Sequence, residues 1–223
     1  MDGTGDLFTE FLSYYDGDYL VIPLPESGPQ EHATLASVIN KQLPTEDYVL
    51  LAESFAGGIV PELLKLNPSH MKGVIFVASF LSSPNKYLLQ IAKRLPIKSL
   101  ASAPLSTIFH KFLLLGQGAS KELLSKFITV TKSIPDLVLK NRLEIMSQQR
   151  LPITTSDIPS IYIQALSDRL ISSKKGREFT KVFSNIKYIE IEGPHFILQA
   201  HPKESARLVT EAISLILKDC RYS

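Results

Sequence analysis

Val49-Leu50-Leu51-Ala52-Glu53-Ser54-Phe55-Ala56-Gly57-Gly58 is an apolar, strand-like run that ends on a serine followed closely by two glycines. Residues 59–66 can continue as a helix, so the serine stands on a strand-to-helix turn. A sharp turn at that point lifts the hydroxyl clear of a sheet edge, and the first N–H groups of the following helix point at the space beside it. Ala52 and Ala56 occupy the places where a G-x-S-x-G turn carries glycine, and alanine is the mildest departure from it. Ser54 is therefore a candidate nucleophile. A serine used in this way needs a base, an acid that orients the base, and donors for an oxyanion.

On both sides of this turn the chain alternates between strand-like and helix-like stretches. Residues 7–15 have helical spacing with Asp6 as a cap, 19–24 read as a buried strand, and 33–43 as a helix. After the serine, 60–66 is a helix and 73–78 a continuous apolar strand. This rhythm predicts a mainly parallel sheet with helices on both faces. From residue 82 to about 157 no stretch reads as a buried strand. Four helical segments, 86–94, 105–115, 121–132 and 136–149, are divided by Pro96, Pro104, Gly116, Gly118 and Pro135. They read as a helical cap inserted between sheet strands, which divides the chain into a core of 1–81 and 158–223 and a cap of 82–157. The sheet resumes at 160–165, with a helix over 174–183, a strand over 186–191 and an amphipathic terminal helix over 202–217.

The bulk composition suits a single α/β core and excludes several partners. The chain has 223 residues, 44% hydrophobic and 21% charged. Its 24 basic and 22 acidic residues leave a net charge of +2 without a basic block, so nucleic acid is not expected as a partner. The longest dense apolar run, 74–81, is too short to cross a bilayer. Met1-Asp2-Gly3-Thr4-Gly5-Asp6 lacks the positive flank and apolar core of a secretory signal, and Cys220 is the single cysteine. A cytoplasmic protein is the expectation. Asp2, Asp6, Asp16 and Asp18 lack calcium-loop spacing, and no Lys-Ser or Lys-Thr follows Gly3 and Gly5, so neither a metal nor a phosphate-binding cofactor is expected.

Two further residues stand where strands run out. Asp168 follows the 160–165 strand in Leu166-Ser167-Asp168, and His195 follows the 186–191 strand in Gly193-Pro194-His195-Phe196. Loops after the carboxyl ends of parallel strands lie along one edge of a sheet, so Ser54, Asp168 and His195 can converge although far apart in sequence. A lone serine before two glycines also reads as a turn residue, and the matched Asp and His loops are what set Ser54 apart. Their rivals fit less well, because His201 precedes Pro202 at the start of a helix, Asp157 precedes its strand and Asp136 begins a cap helix.

In the order Ser, Asp, His the chain resembles the α/β-hydrolase superfamily, near the small serine carboxylesterases that include the pimeloyl-carrier methyl ester esterases. The resemblance rests on Ala52-Glu53-Ser54-Phe55-Ala56-Gly57-Gly58, Leu166-Ser167-Asp168, Gly193-Pro194-His195-Phe196 and Met1-Asp2-Gly3-Thr4-Gly5, and spans the whole chain. It implies Ser54 as nucleophile, His195 as base, Asp168 as orienting acid, and the backbone N–H groups of Phe55 and Asp2 as oxyanion donors. The family carries a strand just before the oxyanion loop, whereas this sequence opens on the loop. Either the sequence starts late, or the fold is N-terminally reduced and the 19–24 strand closes directly against the Ser54 strand; an unprotected edge would then favour a homodimer.

The expected substrate is a small or short-to-medium acyl ester, received by an apolar cap in which Leu105, Phe109 and Phe112 are the candidate substrate contacts. The alternatives are a thioesterase or acyl-carrier methyl ester esterase using the same groups, and a non-catalytic or weakly catalytic small-ligand-binding protein on the same fold.

Overall fold

The computed structural model describes residues 3–92, 94 and 110–219. Its centre is a four-stranded parallel sheet of β1 (Tyr48–Glu53), β2 (Met71–Val77), β3 (Ser160–Ala165) and β4 (Ile186–Ile191), in that spatial order. Parallel neighbours can be joined only by a crossover, so the connecting helices must lie on the faces. The strands show the result. Val74 and Phe76 of β2 and Tyr162 of β3 face one apolar cluster, with Leu35 of α2 (His32–Asn40) and Leu63 of α3 (Val60–Leu64). Ile75, Val77, Ile161 and Ile163 face the other, with Phe11 of α1 (Thr9–Leu12) and the inner side of the terminal helix. Burial on both faces turns these strands into continuous apolar runs, each fully buried Ile, Val or Phe contributing roughly 1.5–3 kcal/mol.

Four helical pieces between β2 and β3 are described: α4 (Lys86–Ala92), a single π-helical turn (Lys111–Leu115), α5 (Lys121–Ser133) and α6 (Asp136–Gln148). The hydroxyl of Ser120 caps α5 by accepting from Leu123 N–H at 3.0 Å, and Pro135 precedes α6. Of the expected 105–115 helix only its last residues fall within the described part, and Gly116, at φ 80°, ends it. After β3 come α7 (Ser173–Arg177) and a 3-10 turn (Glu178–Lys181) in place of one helix over 174–183; after β4 come α8 (Ile197–Ala200) and α9 (Pro202–Asp219). Helix α9 rides so close to β2 that a Cβ on Gly73 would stand 2.4 Å from Ile216 Cγ2. Among the described residues no helix is long and apolar enough to cross a membrane.

Two expectations near the N-terminus are corrected. Residues 19–24 do not form a strand: Tyr19 and Leu20 are 58% and 59% exposed, and no described strand pairs with them. Leu24 N–H instead donates to Gly3 O at 2.7 Å. An extended apolar run becomes a strand only where a neighbour completes its ladder. Here 19–24 does not close against β1, which among the described residues pairs with β2 alone. Asp6 is not a cap either, since Gly5 occupies the N-cap at φ 85° and the Asp6 N–H donates to Thr4 Oγ1 at 3.2 Å.

At the start of α2 the His32 ring lies 5.1 Å from the Phe55 ring, and its Nε2 has no hydrogen-bond partner among the described residues. Burial disfavours the imidazolium and lowers the pKa to about 4, with the Glu62 carboxylate acting in the opposite sense. Because the folded value lies below the unfolded one of 6.5, the unfolded chain binds the extra proton. The associated stability is whole above pH 6.5 and is lost as pH falls towards 4. A difference of this size is worth roughly 3 kcal/mol. Urea unfolding should therefore show a loss of stability between neutral pH and pH 4 that is smaller by about this amount in His32→Leu; equal pH slopes in the two proteins would contradict the assignment.

Candidate active site

The site begins where β1 ends. Glu53 is still extended, and Ser54 turns to φ 53° as the first residue of a 3-10 turn, Ser54–Gly58, that leads into α3. A non-glycine residue in the left-handed region costs about 1–2 kcal/mol and persists only where its surroundings hold it. They do so through Ser79, which follows β2. Its hydroxyl donates to Ala52 O at 2.8 Å, while Tyr162 O–H donates to Ser79 O at 2.8 Å, tying the ends of β1 and β2 to the middle of β3. Gly57 packs against the same serine so tightly that a Cβ would lie 2.5 Å from Ser79 Cβ.

Ser54, His195 and Asp168 are in hydrogen-bond contact. Ser54 Oγ lies 2.9 Å from His195 Nε2, and His195 Nδ1 lies 2.8 Å from Asp168 Oδ2. With the Nδ1 proton directed to the carboxylate, Nε2 is free to accept from the serine hydroxyl. The other carboxylate oxygen, Asp168 Oδ1, accepts from the backbone N–H groups of Leu170 at 2.8 Å and Ile171 at 2.9 Å. The Asp168 side chain is 0% exposed, so these three donors replace the water that a buried carboxylate needs. The acid and histidine loops are also joined to each other: Ser167 N–H donates to Gly193 O at 3.0 Å.

The remaining sequence candidates fall differently. Phe55 is fully buried and is the second residue of the 3-10 turn, a position whose N–H has no acceptor in its own helix. Phe112 is half-exposed on the π-helical turn. Asp2, Leu105, Phe109 and Cys220 lie outside the described residues. The rivals Asp136, Asp157 and His201 are all exposed. Some supporting contacts gave no sequence signal. The Gln199 amide donates from α8 to Glu53 Oε2 at 3.0 Å, linking the histidine loop to the strand before the serine across 146 residues. Such a pair is visible only once the topology is known.

No known protein-family model and no curated protein matches the sequence. Solved structures do. A hydrolase from Oleispira antarctica aligns over 97% of this chain and 88% of its own, with a TM-score of 0.76 at 12% identity. The esterase RhEst1 from Rhodococcus sp. aligns over 96% and 87%, with a TM-score of 0.73 at 16% identity. An esterase from Exiguobacterium antarcticum gives 94%, 88% and 0.73 at 13% identity.

The chain has the α/β-hydrolase fold.

The tight packing of the turn after β1 makes a direct test. Gly57→Val, which drives a branched side chain into Ser79, should lower stability by at least about 1–3 kcal/mol in urea unfolding; an unchanged midpoint would show that the turn is loosely packed.

Proposed function

We propose that the protein is a serine carboxylester hydrolase acting through an acyl-enzyme. The observation that carries this reading is the unbroken relay from Ser54 Oγ through the His195 ring to Asp168, with both links under 3.0 Å. In acylation His195 Nε2 takes the hydroxyl proton as Ser54 Oγ bonds to the ester carbonyl carbon. The imidazolium is stabilised by Asp168, and its proton passes to the leaving alcohol when the tetrahedral adduct collapses. Water then attacks the acyl-enzyme by the same steps, releasing the acid and restoring Ser54. The Phe55 N–H serves as one oxyanion donor, and the Asp2 N–H of the N-terminal loop as the second, each worth roughly 3–4 kcal/mol in the transition state.

In this reading the insertion over 82–157 is a cap above the strand ends, and its apolar residues, Leu105, Phe109 and Phe112 among them, receive an uncharged acyl group of small or short-to-medium length. Thioesters and carrier-bound methyl esters are cleaved by the same groups and belong to the substrate range to be tested. The partly buried apolar residues of β1 and its second edge, unpaired among the described residues, support pairing with a second copy, a homodimer that light scattering would detect.

A short-chain p-nitrophenyl ester should give a burst of p-nitrophenol and then turnover. Ser54→Ala should abolish the burst and lower the rate by at least about 10⁴-fold. Asp168→Asn should keep the fold but lower kcat by about 10⁴-fold, because the imidazole loses its correct tautomer. Absence of turnover in the unsubstituted protein, together with no labelling of Ser54 by a fluorophosphonate, would favour a ligand-binding protein on the same fold. Esters of graded acyl length would place the substrate.

A further inference from the structure

The π-helical turn Lys111–Leu115 touches both loops that hold the acid and the base. On the acid side, the Arg169 guanidinium carbon stands 3.7 Å from the centre of the Phe112 ring, and its Nη1 lies 3.4 Å from Phe112 O. Arg169 is the residue next to Asp168. On the base side, Phe196 N–H donates to Leu114 O at 3.0 Å, and Phe196 is the residue next to His195. Phe196 also packs edge-on against Phe127 of α5, with ring centres 5.6 Å apart, and shares an apolar cluster with Leu115. A Cβ on Gly116 would stand 3.2 Å from Pro194 Cγ, so the end of the turn lies against the histidine loop as well.

From these contacts we infer that the Lys111–Leu115 turn is a clamp that sets the Asp168–His195 separation, with Arg169 and Phe112 as positioning residues for the triad. The inference rests on the esterase reading of that site. The physical case is one of leverage. The acid and base are each one residue from a clamp contact, whereas the backbone bonds from the strands reach the acid only through Asp168 N–H to Ala165 O at 3.3 Å and stop at Gly193 on the base side. A general base gains from a carboxylate partner only while the Nδ1–H···O bond keeps its length and direction. Two backbone acceptors and one ring on a single turn hold both loops at once. The insertion thereby contributes to the geometry of the reacting groups and not only to the space above them.

Arg169 is exposed and Phe112 is half-exposed, so both can be replaced without opening the core. Arg169→Ala should lower kcat by about threefold to fivefold with KM unchanged, the size of an exposed cation–π contact, and Phe112→Ala should lower kcat by a similar factor, with a change in KM besides from its contact with the acyl group. The double variant should lose little more than either single one, because the two act through one contact. In proton NMR the downfield resonance of the His195 Nδ1–H should shift or broaden in Arg169→Ala and be restored in Arg169→Lys. That resonance reports the Asp168–His195 bond directly and can be read even if no ester is turned over, so failure of the clamp and failure of the esterase reading are distinguishable. An unchanged resonance in Arg169→Ala overturns the clamp whatever the rate does; so does a loss carried by KM alone, which would make Arg169 a substrate contact.

Discussion

The in-register pairing of β3 with β4 is the constraint on which the site depends. The ladder runs without a break from Ser160 opposite Ile186 to Ala165 opposite Ile191. It then continues past the strand ends, where Leu166 N–H donates to Ile191 O and Ser167 N–H to Gly193 O. Asp168 and His195 therefore leave the sheet at the same level. Strands are spaced about 4.8 Å apart, so β1 and β4, three spacings away from each other, are separated by roughly 14 Å. The serine on one outer strand and the histidine loop on the other meet only because that loop folds back over the sheet edge. A slip of one residue between β3 and β4 would move the loops relative to each other by about 3.3 Å and invert which side chains face the core. The apolar contacts of Ile161, Ile163 and Ile191 with α9 prevent it.

Much of this was legible in the sequence, for reasons that differ by residue. The central strands β2 and β3 are buried on both faces and so read as uninterrupted apolar runs, with little else they could be. Ser54, Asp168 and His195 follow strands at short offsets, and loops after the carboxyl ends of parallel strands share one edge. The helices of the insertion were legible from their punctuation, as with Gly116 and Gly118 before α5 and Pro135 before α6. Residues 19–24 misled because their composition is that of a buried strand. Composition reports what a segment can bury, whereas strand formation depends on a partner elsewhere. The clamp was illegible for a similar reason: Arg169 and Phe112 are 57 residues apart and belong to different parts of the chain.

The same distinction explains where strain is tolerated. Ser54 at φ 53° stands in a region that costs a residue with a Cβ about 1–2 kcal/mol. That cost is small beside the burial of Phe55, Phe76 and Tyr162, each fully enclosed within the cluster that backs the turn. To relax the serine into an extended conformation the chain would have to displace Phe55 from that cluster, draw Gly57 away from Ser79 and break the Ser79 to Ala52 bond. Relaxation would thus cost more than it gained, and the hydroxyl stays directed at His195. At 19–24 nothing comparable opposes the extended, unpaired state: Tyr19 and Leu20 are exposed and their segment is held at its end by Leu24 and Gly3. Rigidity in this molecule follows the number of independent contacts that would have to fail together, and around Ser54 those contacts hold a strained backbone in place.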